Sequence, residues 1–370
     1  MKNTKIIIKT KTKTYPIYIG DKNINSIDQL IKKKLPKIKK ICLIADKKVP
    51  QVILKKLKKK LKKYNLKVCK LHVNEKLKNF KVAYKLIEFL IKENFNKSDC
   101  VIALGGGVLG DLSAFVSSLT KRGVKFINIP TTLLAQVDSS IGGKTAVNSD
   151  QGKNLIGTFY QPDFVLIDIS VLNSLPQREM ICGYGEVLKH SLILDRKFFF
   201  WLTKNARKII SKKNKKVLKI AITKSCRIKS FVVARDENEK NLRMILNFGH
   251  TFAHGFESAT KFSRKLNHGE AVLLGMMMAS KLSYKKNILP LKDLSLIKKH
   301  YHDLNLPVEI NKFFRKNDVS KIISFMKKDK KNFGTRINLI LLKKIGKTIK
   351  PNSFKISISE IKKFFMKNYG

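Results

Sequence analysis

Two kinds of apolar pattern alternate along the first half of the chain. Short apolar segments are separated by stretches in which apolar residues recur at helical spacing, among them a lysine-rich segment and residues 80–93. The apolar segments that are expected to form strands are ICLIA, LKVCKLHV, CVIAL and KFINIP. Strands that alternate with helices indicate a parallel sheet with helical crossovers. The N-terminal residues, in addition, alternate like a pair of strands.

The pattern changes after the segment FVLIDIS. From about residue 176 onward the apolar residues follow a helical period, and INLILLKK is the main strand candidate. Helices are expected over residues 178–194, 206–234, 249–260 and 268–285. We therefore predict two domains: an α/β domain with a parallel sheet over residues 1–177, and a mainly α-helical domain over residues 178–370.

Composition adds a large positive charge to this picture. The 370 residues are 43% hydrophobic, which is enough for two cores, and carry a formal net charge of +52. Residues 98–195, however, hold seven Lys and Arg against nine Asp and Glu, a balance of −2, so the excess lies in runs such as KLKKKLKK. Such runs at helical spacing are solvated faces, and none is interleaved with stacking aromatic residues. The charge therefore does not indicate a nucleic-acid partner.

The expected location follows from features of the whole chain. No stretch reaches about 18 uncharged apolar residues, and the N-terminus lacks the apolar centre of a signal peptide. The five cysteines are scattered and form no CxxC pair, which argues against a disulfide framework and against a thiolate zinc site. We predict a cytoplasmic protein with no membrane partner.

A glycine-rich turn lies where a nucleotide would be expected. In CVIALGGGVLGD, Gly105, Gly107 and Gly110 have GxGxxG spacing between a predicted strand and a predicted helix, so the backbone could approach a pyrophosphate at the helix N-terminus. No acidic residue follows at the end of the next strand to bind a ribose. The alternative is a tight packing turn between strand and helix.

Histidines and one glutamate predict a metal site in the second domain. His250 and His254 are four residues apart on a predicted helix, His268 begins another helix, and Glu186 lies one turn before Lys189. Two imidazoles and a carboxylate are the ligands of a catalytic zinc with an open position. Spacing alone favours His250 with His254, and leaves open that one of them is an acid-base group. Histidines satisfied by hydrogen bonds in the core are the alternative.

The segment VDSSIGGKTAVN, residues 137–148, is rich in small residues and lies inside the lysine-poor region. Lys144 and Lys153 each follow a glycine, where an exposed loop can direct an ammonium group to an anion, and Asn154 adds a neutral donor. We predict that a nucleotide, a divalent metal and an anionic substrate meet in one cleft.

Six segments together resemble the 3-dehydroquinate synthase family, in the order in which the family has them. They are GGGVLGDLSAFVSS, RGVKFINIPTTLLAQVDSSIGGKTAVN, GKNLIGTFYQP, GYGEVLKH, LRMILNFGHTFAHGFE and HGEAV. The resemblance covers residues 41–346. Gly185 departs from it, because the family usually has alanine there, and a helix glycine costs about 1 kcal/mol relative to alanine.

The resemblance implies an NAD-binding domain, a helical domain, one zinc or cobalt ion and a homodimer. It implies the metal ligands Glu186, His250 and His268, and it moves His254 to proton handling near the substrate phosphate. Arg122 would reach the substrate of the neighbouring subunit. Either Lys330 or Lys331 would face the site.

The remaining site residues implied by the resemblance form two sets. The implied contacts of NAD are Asp46, Glu75, Lys78, Gly107, Val108, Leu109, Gly110, Asp111, Thr131, Thr132, Lys144, Lys153, Leu172 and Ser174. The implied contacts of the substrate are Asp138, Lys144, Lys153, Asn154, Lys189, Lys229, Arg243, Asn247 and His254, of which Asp138, Lys153, Asn154, Lys189 and His254 are the implied catalytic residues.

The implied reaction converts 3-deoxy-D-arabino-heptulosonate 7-phosphate to 3-dehydroquinate and phosphate. Transient oxidation by NAD makes a neighbouring hydrogen acidic, phosphate leaves by β-elimination, the hydride returns, and an aldol step closes the ring. The alternatives are another sugar phosphate cyclase, a metal- and NAD-dependent polyol dehydrogenase, and an anion-binding protein without activity. A neutral polyol would not require Arg122, Lys153, Lys229 and Arg243.

Overall fold

The computed structural model describes residues 3–263, 265–327 and 336–369. Lys330 and Lys331 lie outside the described residues. The chain divides into two compact units, the first formed by Met1–Pro176 with Lys212–Asn238 and the second by Gln177–Ser211 with Glu239–Gly370. The division into domains at residue 177 remains a prediction. Residues 212–238 group with the first unit, whereas that prediction assigns them to the second domain.

The first unit contains a seven-stranded sheet. Its strands in spatial order are β1 (Thr4–Lys9), β2 (Thr14–Gly20), β9 (Phe164–Asp168), β6 (Lys125–Pro130), β5 (Cys100–Gly105), β3 (Lys40–Asp46) and β4 (Asn65–Leu71). Strand β1 pairs antiparallel with β2, and the other neighbours pair in parallel. The predicted parallel sheet and N-terminal strand pair are thus confirmed.

Helices of the first unit are α1 (Ile27–Lys34), α2 (Gln51–Leu61), α3 (Phe80–Lys92), α4 (Gly107–Leu119) and α7 (Lys215–Arg235). Helix α2 buries Leu54, Leu57 and Leu61 while its lysines are exposed, as expected for a solvated basic face. Apolar residues of α3 and α4 form one core with β5, which is buried along its whole length. That core fixes the start of α4 at the end of β5.

A hairpin in the first unit was not predicted. Strands β7 (Lys144–Ser149) and β8 (Gly152–Phe159) pair antiparallel. In β7 only Thr145 and Val147 are buried. Because just one of these is apolar, the alternation that reveals a strand is too short to be recognised in the sequence.

The second unit is mainly helical, as predicted. Its helices are α5 (Gln177–Leu194), α6 (Arg196–Ile210), α8 (His250–Ala259), α9 (His268–Lys285), α10 (Leu291–Asp303), α11 (Asp318–Lys327) and α12 (Ile358–Lys367). Helix α9 packs against both α5 and α8. Among the described helices of the chain, none is long and apolar enough to cross a membrane.

Two predicted elements of the later chain are wrong in detail. The single helix expected over residues 206–234 is α6 followed by α7, because Lys212 adopts φ 59° and the Asn214 side chain accepts a hydrogen bond from the backbone of Val217. The segment INLILLKK contributes to two short strands, β10 (Arg336–Asn338) and β11 (Leu342–Lys344). They pair with β13 (Lys355–Ser357) and β12 (Lys347–Thr348), respectively.

Candidate functional site

Several predicted cofactor contacts lie at the carboxyl edge of the parallel sheet. Asp46 is the last residue of β3, Glu75 follows β4, and Thr131 and Thr132 follow β6. The turn Gly107 to Asp111 follows β5 as the first turn of α4. The carboxyl ends of parallel strands share one edge, which is where ligands of such sheets bind. Leu172, which is buried, and Ser174 lie in the short helix after β9, at the same edge.

The glycine turn is a close approach of several backbone segments. A Cβ at Gly107 would lie 2.7 Å from the Ser139 hydroxyl, and one at Gly110 would lie 3.1 Å from the Asn128 amide. Close packing of the turn is therefore sufficient to explain why residues 107 and 110 are glycines. The turn nevertheless keeps the helix N-terminus directly after the strand, where it can face an anion.

Lys78 joins the glycine turn to the tip of the hairpin. Its buried ammonium group donates to Asp111 Oδ2 at 2.6 Å and to Asn154 Oδ1 at 2.5 Å. Glu75 adds a second link, because it accepts from Asn148 Nδ2 at 2.8 Å and lies 3.7 Å from Lys153 Nζ. Burial raises the pKa of Asp111, and the charge of Lys78 opposes that rise. Predicted cofactor and substrate residues are thus directly connected within the first unit.

A second buried cation lies beside the π-helical turn Ala135–Ser139. Lys229 Nζ from α7 donates to the Asp138 carboxylate and to the Asp138 carbonyl oxygen, both at 2.6 Å. Lys144, the first residue of β7, is exposed. Arg122 is also exposed and adopts φ 60° in the turn after α4.

Three predicted metal ligands come together in the second unit. Glu186 of α5, His250 of α8 and His268 of α9 each offer a ligand atom, and these atoms lie within 4.8 Å of one another. The Glu186 side chain is fully buried and forms an ion pair with Lys189. His250 Nε2 lies 3.6 Å from Glu186 Oε1. Two nitrogens and one carboxylate oxygen at this spacing fit a divalent ion with an open position.

His254 lies one turn after His250 on α8, and the two ring centres are 5.8 Å apart. Among the described residues, the groups that could bind a metal do not include His254. Spacing along the helix favoured His254 over His268. The packing of α9 against α8, which spacing does not reveal, brings His268 to the Glu186 carboxylate instead.

Two groups that contact the histidines of the predicted metal site were not predicted from the sequence. His250 Nδ1 lies 3.3 Å from the Phe248 carbonyl oxygen, and His268 Nδ1 lies 3.2 Å from Glu257 Oε2. Such partners fix the ring orientation and tautomer of ligating histidines. A sequence signal for Glu257 did exist, because it lies seven residues after His250 and so on the same face of α8.

The remaining predicted substrate residues lie near the start of α8. Arg243 is buried in the short helix Leu242–Asn247. Asn247 Nδ2 donates to Glu239 Oε1 at 2.8 Å. Glu239 was not predicted from the sequence, and this bond shows that it orients the Asn247 side chain.

Comparison with known proteins gives close relatives over almost the whole chain. The 3-dehydroquinate synthase of Pelagibacter ubique is 49% identical over 345 residues, which cover 93% of this chain and 94% of the relative. The 3-dehydroquinate synthase of Thermodesulfovibrio yellowstonii is 40% identical over 362 residues, which cover 97% of this chain and 98% of the relative.

A solved structure of 2-deoxy-scyllo-inosose synthase, complexed with carbaglucose-6-phosphate, NAD+ and Co2+, matches with a TM-score of 0.88 at 26% identity, covering 99% of this chain and 100% of that one. The fold is therefore that of the sugar phosphate cyclases. Models of the N-terminal and C-terminal regions of 3-dehydroquinate synthase match residues 68–182 and 183–332. The chain belongs to the 3-dehydroquinate synthase family, and it is an enzyme with the lyase activity of that family.

Proposed function

We propose that this chain converts 3-deoxy-D-arabino-heptulosonate 7-phosphate to 3-dehydroquinate and phosphate, with NAD and one divalent metal ion as cofactors. The cluster of Glu186, His250 and His268 carries the proposal, because it fits a catalytic metal and lies on helices of a family member. When bound, NAD supplies a transient oxidation of a substrate hydroxyl, and the metal ion supplies a Lewis acid for that hydroxyl.

Glu186, His250 and His268 would hold the metal ion. Glu257 and the Phe248 carbonyl oxygen would keep the two imidazoles in the ligating orientation. Lys189 is 1% exposed and forms an ion pair with Glu186. It would offset the carboxylate charge and donate to a substrate oxygen.

The residues at the carboxyl edge of the sheet would bind NAD. The start of α4 would hold the pyrophosphate, because backbone N–H groups and the helix dipole favour negative charge there. Asp46 and Glu75 offer carboxylates for ribose hydroxyls. Burial raises the pKa of Asp111, and the charge of Lys78 opposes that rise and so favours the carboxylate form. Lys144 and Lys153 would meet the cofactor or the substrate beside it.

The cationic residues would bind the substrate through its carboxylate and phosphate. We assign this role to Lys144, Lys153, Lys229, Arg243 and the neutral donors Asn154 and Asn247. His254 would handle a proton near the phosphate, and Asp138, whose carboxylate accepts from Lys229, would orient the reacting end. Phosphate release requires cations where negative charge develops, and an ammonium or guanidinium group supplies one.

The test follows free phosphate and NADH after the purified protein is mixed with the heptulosonate phosphate, with and without a chelator. We expect phosphate release that the chelator abolishes and no accumulation of NADH. Glu186→Gln should abolish phosphate release, whereas Glu179→Gln should retain it, because Glu179 is exposed on the same helix. Accumulation of NADH, or phosphate release that survives both Glu186→Gln and the chelator, would contradict the proposal.

We also propose that the enzyme is a homodimer in the cytoplasm. Exposed large apolar side chains occur on α3, α4 and β8, elements that pack together beside the turn carrying Arg122. They are Phe80, Tyr84, Leu119, Leu155, Ile156 and Phe159. An apolar surface of this kind beside an exposed cation supports an interface between copies of the chain. The five free cysteines support a reducing compartment.

A further inference from the structure

The two glycines before Lys144 rest on buried polar side chains of the first unit. Gly142 N donates to the Tyr15 hydroxyl at 3.2 Å, and Tyr15 is fully buried. Gly143 adopts φ 65°, and a Cβ there would lie 2.5 Å from Cδ of the Gln161 amide. The side chain of Gln161 therefore lies directly under Gly143 and limits where the following lysine can begin.

Gln161 is itself held by a buried carboxylate. Its Nε2 donates to Glu237 Oε1 at 2.8 Å. Glu237 Oε2 accepts from Thr12 N at 3.1 Å, and the Thr12 hydroxyl donates to Oε1. Glu237 and Gln161 are 3% and 4% exposed, so water does not compete freely for these bonds. The contacts join the β1–β2 turn, the segment after β8 and the residues after α7.

We propose that Glu237 is a positioning residue: it holds Gln161 under Gly143 and thereby fixes the direction in which Lys144 leaves the loop. The inference rests on the proposed substrate-binding role of Lys144. The effect of Glu237 on the reaction would pass through the Gln161 amide, which has no role of its own in the proposed chemistry and donates to Glu237 Oε1.

A carboxylate is required at position 237 for a simple reason. Donors face both of its oxygens, the Gln161 amide at Oε1 and the Thr12 backbone at Oε2. In Glu237→Gln one of these oxygens becomes an NH2 group. While the Gln161 amide keeps its orientation, a donor then faces a donor whichever way the new amide turns, and turning Gln161 over breaks its present bond. Glu237→Gln therefore weakens the support of Gly143 while conserving the volume of the side chain.

The direct test is hydrogen exchange of the peptide that contains Gly142 and Gly143, in the protein without substrate. We expect about tenfold faster exchange in Glu237→Gln, and a smaller acceleration in Thr12→Val, which loses one donor only. Asp21→Asn is the matched control, because it removes the ion pair of Asp21 with Lys215 at the other end of α7. Equal exchange in Glu237→Gln and Asp21→Asn would overturn the proposal.

Kinetics test the link to Lys144. We expect Glu237→Gln to raise KM for the heptulosonate phosphate about tenfold, with a smaller change in kcat, and to have little further effect in a Lys144→Ala background. If Glu237→Gln raises KM in that background by the same factor as in the wild type, Glu237 does not act through Lys144. If Lys144→Ala alone changes neither KM nor kcat, the substrate-binding role of Lys144 is wrong, whatever the exchange experiment shows.

Discussion

Gly269 lies where α9 comes closest to α5. A Cβ there would overlap the backbone of Cys182, and Gly269 N donates to Cys182 Sγ at 3.1 Å. Because His268 precedes Gly269 and Glu186 lies one turn after Cys182, this contact sets the spacing of two proposed metal ligands. We expect Gly269→Ala to lower the free energy of unfolding by about 1–3 kcal/mol and to weaken zinc binding.

Gly185→Ala is the control for that prediction. A Cβ at Gly185 would lie 3.2 Å from Leu273 Cγ and 3.3 Å from the Gly269 carbonyl oxygen. The helix gains about 1 kcal/mol from alanine, and the tight contacts offset part of it, so the net change should stay within about 1 kcal/mol. Urea unfolding of the metal-free protein and zinc competition with a chromophoric chelator measure both effects. Equal losses in the two variants would contradict the prediction.

Glu237 also predicts a pH dependence of stability. Burial alone would raise its pKa, but hydrogen bonds from Thr12 and Gln161 outweigh burial and lower the pKa. A depressed pKa stabilises the fold above the ordinary glutamate value of about 4.3, and this stabilisation is lost as the pH falls through the folded-state value. The wild type should therefore lose stability relative to Glu237→Gln as the pH is lowered from about 6 to about 3.

Urea unfolding of both proteins across this pH range measures the difference. Glu360, whose pKa hydrogen bonds from Lys286 and Ser357 lower to about 2, is present in both proteins and cancels in the comparison. A difference in free energy of unfolding that is constant with pH would mean that Glu237 is not ionised differently in the folded and unfolded states.

Single residues of the candidate site were predictable to different degrees. Glu186 and Lys189 are identifiable because one helical turn separates them, and the same holds for His250 and His254. The choice of His268 came from family resemblance and not from spacing. A ligand on another helix depends on how α8 and α9 pack, and no local pattern encodes that packing. The contacts of Glu237 could not be predicted for the same reason, since its hydrogen-bond partners lie 225 and 76 residues away in the sequence.

At the scale of elements, Lys78 connects the glycine turn with the β7–β8 hairpin. Without its ammonium group, Asp111 loses the charge that opposes the rise in its pKa, and Asn154 loses a donor. We expect Lys78→Met to weaken NAD binding about tenfold and to accelerate amide exchange at the hairpin tip. Lys76→Met, an exposed change two residues earlier in the chain, should have neither effect. Isothermal titration with NAD and hydrogen exchange test this, and unchanged NAD affinity in Lys78→Met would contradict it.

Most elements follow from the sequence because their apolar periods are long. Helix α9 begins at the predicted residue, where Asn267 and Glu270 form a capping box. The elements that were missed or merged are short or locally interrupted. The break between α6 and α7 depends on the left-handed conformation of Lys212, which a lysine rarely adopts and which its sequence does not signal.

At the scale of the whole molecule, the charge and the chemistry occupy different parts of the chain. The excess of lysine lies on exposed helix faces such as that of α2, whereas the lysines of the candidate site include the buried Lys78, Lys189 and Lys229. A buried ammonium group needs a partner, and Asp111, Glu186 and Asp138 provide one for each. The net charge thus indicates little about function, whereas the few buried lysines indicate where the candidate site lies.

The proposed homodimer leads to the last prediction, because the family resemblance implies that Arg122 serves the neighbouring subunit. Arg122 is exposed, so it does not pack into the core of its own unit. If so, Arg122→Ala and Glu186→Gln damage different sites of one dimer. A mixed dimer would contain one site with both its metal ligands and its partner's arginine intact, and one site that lacks both.

We therefore expect each variant to be nearly inactive alone, and the two together to regain about a quarter of the wild-type activity after subunit exchange, since half of the dimers are mixed and each has one complete site. A mixture of Glu186→Gln with His250→Ala is the control and should stay inactive, because both changes damage the same metal site. Phosphate release measures the activity, and sedimentation establishes that dimers are present. Dimers that exchange subunits without any recovery would show that Arg122 acts within its own subunit.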